Sequence, residues 1–387
     1  NDLNVFVPEA KVPQEVEKIL ASSGLENTTI KYANKTGQVF GKKVQQGLFA
    51  NGQVVLFNKK IDFELAYLSD KKLFYLDTKI SNISLFDINF LKSVSSMPDA
   101  VRNFGKGIKI SSASFTYANK GGVVNEKTVI PGFSIKGKCE IGSSTSEIDV
   151  RHNPVSKLTY FKVKIKDLKI QELKLIPAQV LKEIPEINLV NIDLVYSNTT
   201  TKIDEKQVKK GLNINGSVKV GGMTADLTFF YDTNTKFIYT DFSIKNATLI
   251  DIVPKVANVS GKVADFFKKA KINRTRIVYA NIAGEYDGKR IEPGYKIDGS
   301  VSFGTSSGSF TFMYDKTGNT YDFQGKVATL NINDFISLPE SAKKVTGELS
   351  LKNVVFNWAG KTGTVFGREV KKGLKINGSA KTGKGDG

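Results

Sequence analysis

The chain has 387 residues and 42.5 kDa, is 40% hydrophobic and 24% charged, and so excludes wholesale disorder. Lys and Arg number 56 against 38 Asp and Glu, a net charge of +18 that makes anionic surfaces the natural counterpart. One Cys and one His exclude an internal disulfide, a Cys-rich metal site and any centre needing two imidazoles.

In chain order, the sequence opens Asn1-Asp2-Leu3 with no basic start followed by an apolar run, hence no signal-peptide pattern. The mean hydropathy is −0.20, and no stretch approaches the ~20 apolar residues of a spanning helix. Pro13 to Ser23 reads as a helix, so residues 1–25 complete a preceding unit. Ile30-Lys31-Tyr32-Ala33-Asn34 then opens a pattern that returns as Phe115-Thr116-Tyr117-Ala118-Asn119, Leu194-Val195-Tyr196-Ser197-Asn198 and Ile277-Val278-Tyr279-Ala280-Asn281. Val354-Val355-Phe356-Asn357-Trp358 is a decayed fifth copy, aligned through Phe356. The period is about 80 residues, longer than common solenoid units.

Three further landmarks run in phase. Glycine pairs follow each opening: Gly47/Gly52, Gly132/Gly137, Gly211/Gly216, Gly294/Gly299 and Gly373/Gly378. An aromatic strand carries Tyr75, Tyr160, Tyr239 and Tyr321, and a proline precedes each opening at Pro13, Pro98, Pro177, Pro254 and Pro339. The resulting division is 26–108, 109–187, 188–271 and 272–347 for four repeats, with 348–387 a partial fifth.

The third copy shows the predicted elements. Val190, Ile192, Leu194 and Tyr196 alternate with polar neighbours as a half-buried strand, and Asn198 to Lys202 is a polar turn. Leu212, Ile214 and Val218 form a second strand, Leu227, Phe229 and Tyr231 a third, and Phe237, Tyr239, Phe242 and Ile244 a fourth. Pro254 then opens an amphipathic helix through Val256, Val259, Val263 and Phe266, proline being tolerated in a first turn. Shorter helices are predicted from Pro98 to Phe104, Pro177 to Ile184 and Pro339 to Val345. The predicted fold class is therefore β-rich α+β: tandem β-β-β-β-α repeats in an elongated antiparallel array with short amphipathic helices.

Catalytic templates fail. His152, in Arg151-His152-Asn153-Pro154, has no partnered nucleophile in the pattern, and Cys139 reads as a strand filler. Gly-x-Ser-x-Gly, His-Glu-x-x-His and the P-loop pattern do not occur. Repetition of every motif argues against a unique reaction centre, so no enzyme, cofactor or metal is expected.

The basic excess is patterned. Lys162, Lys164, Lys166 and Lys169 alternate with apolar residues and form the candidate anion-binding face. Lys42, Lys43, Lys209, Lys210, Lys371 and Lys372 recur near the first glycine of each pair. The leading functional reading is a non-catalytic surface, matrix or filament-forming scaffold whose partners are an anionic surface or polysaccharide, with end-to-end self-assembly. The alternative is a carrier of lipid or another apolar ligand in a groove or tube. Nucleic acid fits poorly, because the aromatics alternate inward and form no stacking platform. Nine Asn-x-Ser/Thr sites, among them Asn34 and Asn198, together with the single cysteine lean towards secretion or the cell surface. Tyr32, Tyr117, Tyr196 and Tyr279 are expected at equivalent, mostly buried core positions.

Overall fold

The computed structural model describes residues 25–56, 59–85, 102, 104–169, 187–220, 223–248, 271–303, 306–331 and 350–381. The chain divides into two compact units, Asn1–Asn213 and Ile214–Gly387.

In the first unit β1 (Leu25–Ala33) is followed by a small hairpin of β2 (Gly37–Val39) and β3 (Lys42–Val44), then by β4 (Gly47–Leu56), β5 (Lys59–Leu68), β6 (Leu73–Ile80) and the short β7 (Ile83–Ser84). The run recurs as β8 (Ile108–Ala118), the hairpin β9 (Gly122–Val124) and β10 (Lys127–Val129), β11 (Gly132–Ile141), β12 (Ser144–Asn153) and β13 (Leu158–Lys169). It begins again with β14 (Ile187–Ser197) and the hairpin β15 (Thr201–Ile203) and β16 (Lys206–Val208). The division between units falls within β17 (Gly211–Val220). The long strands pair antiparallel in sequence order: β1 with β4, β4 with β5, β5 with β6, β6 with β8, β8 with β11, and on through β12 and β13 to β14.

The second unit continues with β18 (Met223–Tyr231) and β19 (Ile238–Thr248). Then come β20 (Lys271–Ala280), the hairpin β21 (Gly284–Tyr286) and β22 (Lys289–Ile291), β23 (Gly294–Phe303), β24 (Ser306–Asp315) and β25 (Thr320–Asn331). β26 (Ser350–Ala359), the hairpin β27 (Gly363–Val365) and β28 (Arg368–Val370), and β29 (Gly373–Lys381) complete it. Its long strands likewise pair antiparallel in order, from β18–β19 to β26–β29.

The α+β class predicted from sequence is corrected by this architecture: the described residues are nearly all β, 75% strand and 2% helical, with no helix among them. The helices predicted at Pro13–Ser23, Pro177–Ile184, after Pro254 and at Pro339–Val345 lie outside the described residues. At the end of the Pro98–Phe104 prediction a single turn is seen, Lys106 N–H donating to the Arg102 carbonyl at 3.1 Å. Period-2 alternation commits the described residues to strands instead. The polar stretch after each first strand, read as a turn, is a two-stranded hairpin. Its tips are left-handed at both central residues, as in Asn125 and Glu126 (φ 46° and 66°), the type I′ geometry that suits strand twist.

The glycine pairs have separate physical reasons. The first glycine of each takes positive φ, for example 102° at Gly132 and 136° at Gly294, and a Cβ at either would collide with a carbonyl of the neighbouring long strand. The second faces a bulge. At Gly137 a Cβ would collide with the backbone of Ser112 and Ala113, where the β8–β11 register shifts. The pairings β1–β4, β8–β11, β20–β23 and β26–β29, each of a first with a second long strand, all carry such a shift.

Alternation places most of the core on one face, where in the first unit Leu65, Ile110, Ile135 and Phe161 are essentially inaccessible; Leu68 and Leu73, on the opposite face, are covered by Val124 and Val129. In the second, Phe310, Phe323 and Phe356 form an aromatic ladder across β24, β25 and β26, with rings 6.1 and 6.0 Å apart.

Candidate functional site

The lysines chosen from sequence all lie on β13. Lys162 is half-buried and its Nζ is 3.1 Å from Asp193 Oδ2; Lys164 is exposed and 3.7 Å from Glu147 Oε2. These partners come from β14 and β12, which flank β13 in register. Lys166 and Lys164 share an open cleft of about 590 Å³ with Lys138, Glu147 and Asp193. Lys169 is exposed at the strand's end. The four cations are thus on one strand, but carboxylates on both neighbouring strands offset the first two.

Cys139 is fully buried, and burial pushes its thiol up to about 12, with Glu140 adding to the effect. His152 lies on β12, with Nδ1 3.2 Å from Thr159 Oγ1 and its ring 5.5 Å from Phe133. Burial holds its pKa below the usual imidazole value, partly opposed by a hydrogen bond to the Leu158 backbone. Among the described residues no group of three or more His, Cys, Asp and Glu is placed to hold a metal ion.

The landmark tyrosines are each the penultimate residue of a first strand, β1, β8, β14 and β20. Their burial is not uniform. Tyr196 is 1% exposed, Tyr117 and Tyr279 are half-buried, and Tyr32 is 72% exposed. Two alignments change with the register. Trp358, not Phe356, is penultimate in β26 and opposite Leu374, as Tyr117 is opposite Phe133. Asp322, not Tyr321, pairs with Ala359 where Tyr75 and Tyr239 pair with Ala118 and Ala280. A slip of one residue exchanges the two faces of a strand, which is why the buried group there is Asp322, 2% exposed.

The asparagines that close each landmark motif have a role that the sequence pattern alone does not disclose. Asn119 Oδ1 accepts from Phe74 N–H at 2.8 Å, and its Nδ2 donates to the Lys72 carbonyl at 3.1 Å. Asn198 does the same to Thr159 N–H and the Lys157 carbonyl, at 2.8 and 2.7 Å. Asn281 repeats it with Ile238 N–H and the Lys236 carbonyl, at 2.7 and 2.9 Å. Each side chain behaves as one more rung of ladder, gripping the turn before the fourth strand of the preceding copy. Lys72, Lys157 and Lys236 are all left-handed, with φ of 47°, 54° and 62°, which turns their carbonyls to the amide. Nothing in a single sequence links these partners, 39 to 47 residues apart. At the last junction Gly360 stands in place of the asparagine, and the Tyr321 ring occupies the space a side chain would take.

The small hairpins complete each junction. Val124 and Val129 pack with Leu68, Leu73 and Tyr75 of the preceding copy, while Lys127 approaches Glu64 at 4.0 Å. Asp204 at the next hairpin tip is bound by both terminal nitrogens of Arg151, whose Nε and Nη2 also reach Asp149 at 2.9 and 2.7 Å. The Arg151 guanidinium holds Asp204 below the ordinary carboxylate range. Tyr286 stacks on Tyr239 at 4.3 Å beside Phe230 and Phe237. In the last hairpin Phe366 N–H donates to Asp315 Oδ2 at 3.1 Å and Arg368 binds Asp322. One arrangement therefore recurs with four different sets of side chains.

The first hairpin, β2–β3, is different: Val39 is 52% exposed and Phe40 101%. An open cleft of about 730 Å³ runs along Tyr32, Asn34, Thr36, Val39 and Val44. No protein family, no curated protein and no solved structure matches the chain.

Proposed function

We propose that the protein is a non-catalytic repeat scaffold whose basic surface engages an anionic partner, either an acidic polysaccharide or an anionic lipid surface. What carries the reading is how the recurring residues are used. The asparagines and the apolar hairpin residues are engaged in joining one copy to the next, and the glycines in pairing strands within a copy, while Lys42, Lys43, Lys371 and Lys372 stand exposed at the hairpins. In the first unit Lys166 is also exposed, on β13, whereas Lys162 and Lys164 are offset by Asp193 and Glu147. The buried thiol of Cys139 and the depressed imidazole of His152 fit packing roles better than proton transfer.

The test is retention on immobilised acidic polysaccharide and on anionic vesicles as salt is raised. The screening length is roughly 8 Å at physiological ionic strength, so only clustered cations hold there, and near an anionic membrane each contributes on the order of 1 kcal/mol. Lys371→Gln with Lys372→Gln should lower the salt needed for release more than Lys162→Gln with Lys164→Gln. Failure to bind any polyanion at low salt refutes the proposal, and extraction of lipid from neutral vesicles would favour a carrier instead.

A further inference from the structure

Between β12 and β13 the sheet opens. Their ladder runs from Asn153 opposite Leu158 to Glu147 opposite Lys164 and stops there, although β12 begins at Ser144 and β13 continues to Lys169. Each bank of this seam is held by its other neighbour: Ser144, Thr145 and Ser146 stay paired with β11, and Ile165 and the residues after it with β14. The cleft of about 590 Å³ is lined from both banks, a size within the roughly 300–1,000 Å³ of small-molecule sites. A row of alternating charge crosses it, Lys138, Glu147, Lys164 and Asp193, each opposite the next from β11 to β14. Lys166 stands exposed beyond that row. Glu147 and Lys164 are 71% and 56% exposed, so the mouth is open to solvent. Phe104, from the chain leading into β8, packs with Phe161 on the opposite, apolar face.

Ser146 sets this copy apart. It lines the cleft, is 4% exposed, and its Oγ is buried without a hydrogen-bond partner, a state that only Thr275 shares among the described residues. Ser146 lies opposite Cys139; Ile61 holds that place opposite Val54 in the first copy, and Gly308 opposite Val301 in the fourth. The repeat spacing puts Ala225 there in the third. Gln53 and Ser300 likewise stand where Lys138 does. The hydroxyl and the complete charged row therefore belong to one copy and are not part of the repeating frame.

We propose that this seam binds a uronic acid unit of an acidic polysaccharide. A bare anion such as phosphate would meet Glu147 and Asp193 as well as the lysines. A uronic acid offers one carboxylate to the ammonium groups of Lys138 and Lys166, and ring hydroxyls that donate to Glu147 and accept from Thr145 and Ser146. Because β11 and β14 fix the two banks, these groups are held in place before the sugar arrives. The inference rests on the polyanion reading and narrows it to one ligand class and one place.

The probe is a fluorescently labelled trimer of galacturonic acid, titrated with the full chain at physiological salt and followed by anisotropy. Saturable binding is expected. Ser146→Ala, which introduces the side chain found at this place in the third copy, should weaken it about tenfold, the scale of one hydrogen bond, and Lys166→Gln by at least as much. Neither substitution should lower the thermal midpoint. Unlabelled polygalacturonate should compete, whereas a neutral galactose trimer and inorganic phosphate should not. Binding indifferent to Ser146→Ala or to Lys166→Gln overturns the site, as does competition by phosphate or anionic vesicles as effective as that by polygalacturonate. Absence of saturable trimer binding overturns it too: if the polymer is still retained at low salt, the polyanion reading stands without this site, and if it is not, both fall.

Discussion

The hairpins Gly37–Val44 and Gly363–Val370 are close to the same sequence: Thr-Gly-x-Val-Phe-Gly, a basic residue, one variable residue and Val. Their local geometry is the same too. Phe40 and Gly41 have φ of 49° and 75°, Phe366 and Gly367 have 48° and 78°, and a threonine closes each base by accepting from Gln46 N–H at 3.0 Å or Lys372 N–H at 3.1 Å. Their surroundings differ completely. Val365 is inaccessible and Phe366 packs against the cluster it forms with Ala359 and Val370, whereas Val39 is half exposed and Phe40 wholly so. Hairpin formation is thus a local property of the residues, and burial of the hairpin is conferred by the third and fourth strands it lies on.

Placing a charge in each hairpin tests that contrast with the largest expected effect. Val365→Asp puts a carboxylate into an apolar contact and should cost about 3–5 kcal/mol in urea denaturation, the scale of an uncompensated buried charge. Val39→Asp should stay within about 0.5 kcal/mol, as surface changes do. Equal costs would mean that the first hairpin is as covered as the last. Hydrogen exchange sharpens the point, since the amides of β2–β3 should exchange well before those of β27–β28.

A smaller effect is expected from the asparagines. Asn119→Ala, Asn198→Ala and Asn281→Ala each strand a backbone donor and acceptor and should destabilise by about 1–3 kcal/mol. Asn34→Ala should be close to neutral by the same denaturation measurement. A loss at Asn34 matching the other three would show that its amide is already engaged.

The smallest effect is a pH dependence confined to the hairpin tip at Asp204. Because Arg151 depresses this carboxyl in the folded state, its contribution is present above the ordinary carboxylate range and fades as pH falls below about 4. Asp204 is largely exposed, so solvent keeps the effect small. Following its carboxyl carbon by NMR, Arg151→Gln should return the titration towards the ordinary value; an unchanged midpoint would remove the ion pair from the account of this junction.

Much of the fold is legible in the residues themselves. Period-2 alternation locates the long strands, and the first glycines stand out because only glycine accepts the positive φ at Gly132 or Gly294 without strain. Two alignments are misplaced by sequence spacing alone. Phe356 and Tyr321 are aromatic and stand near the right distance, but only pairing partners reveal that Trp358 and Asp322 hold the equivalent places. The expected patch on β13 fails as a simple cation cluster for a related reason, since Asp193 and Glu147 are distant in sequence and adjacent in the sheet. Among the landmark tyrosines Tyr196 is buried and Tyr32 is exposed, a difference set by the strands around them.

The sequence by itself determined the properties that neighbours along the chain impose on one another: where strands alternate, where the backbone must turn left-handed, and that one pattern is written several times. Sterics and side-chain period set these within a few consecutive residues. Only the tertiary structure decided which asparagine grips which turn, which lysine is neutralised, and which of two nearly identical hairpins is buried. These depend on strand register and on the adjacent copy, and hydrogen bonds and apolar contacts across 40 residues or more leave no local trace in the chain that makes them.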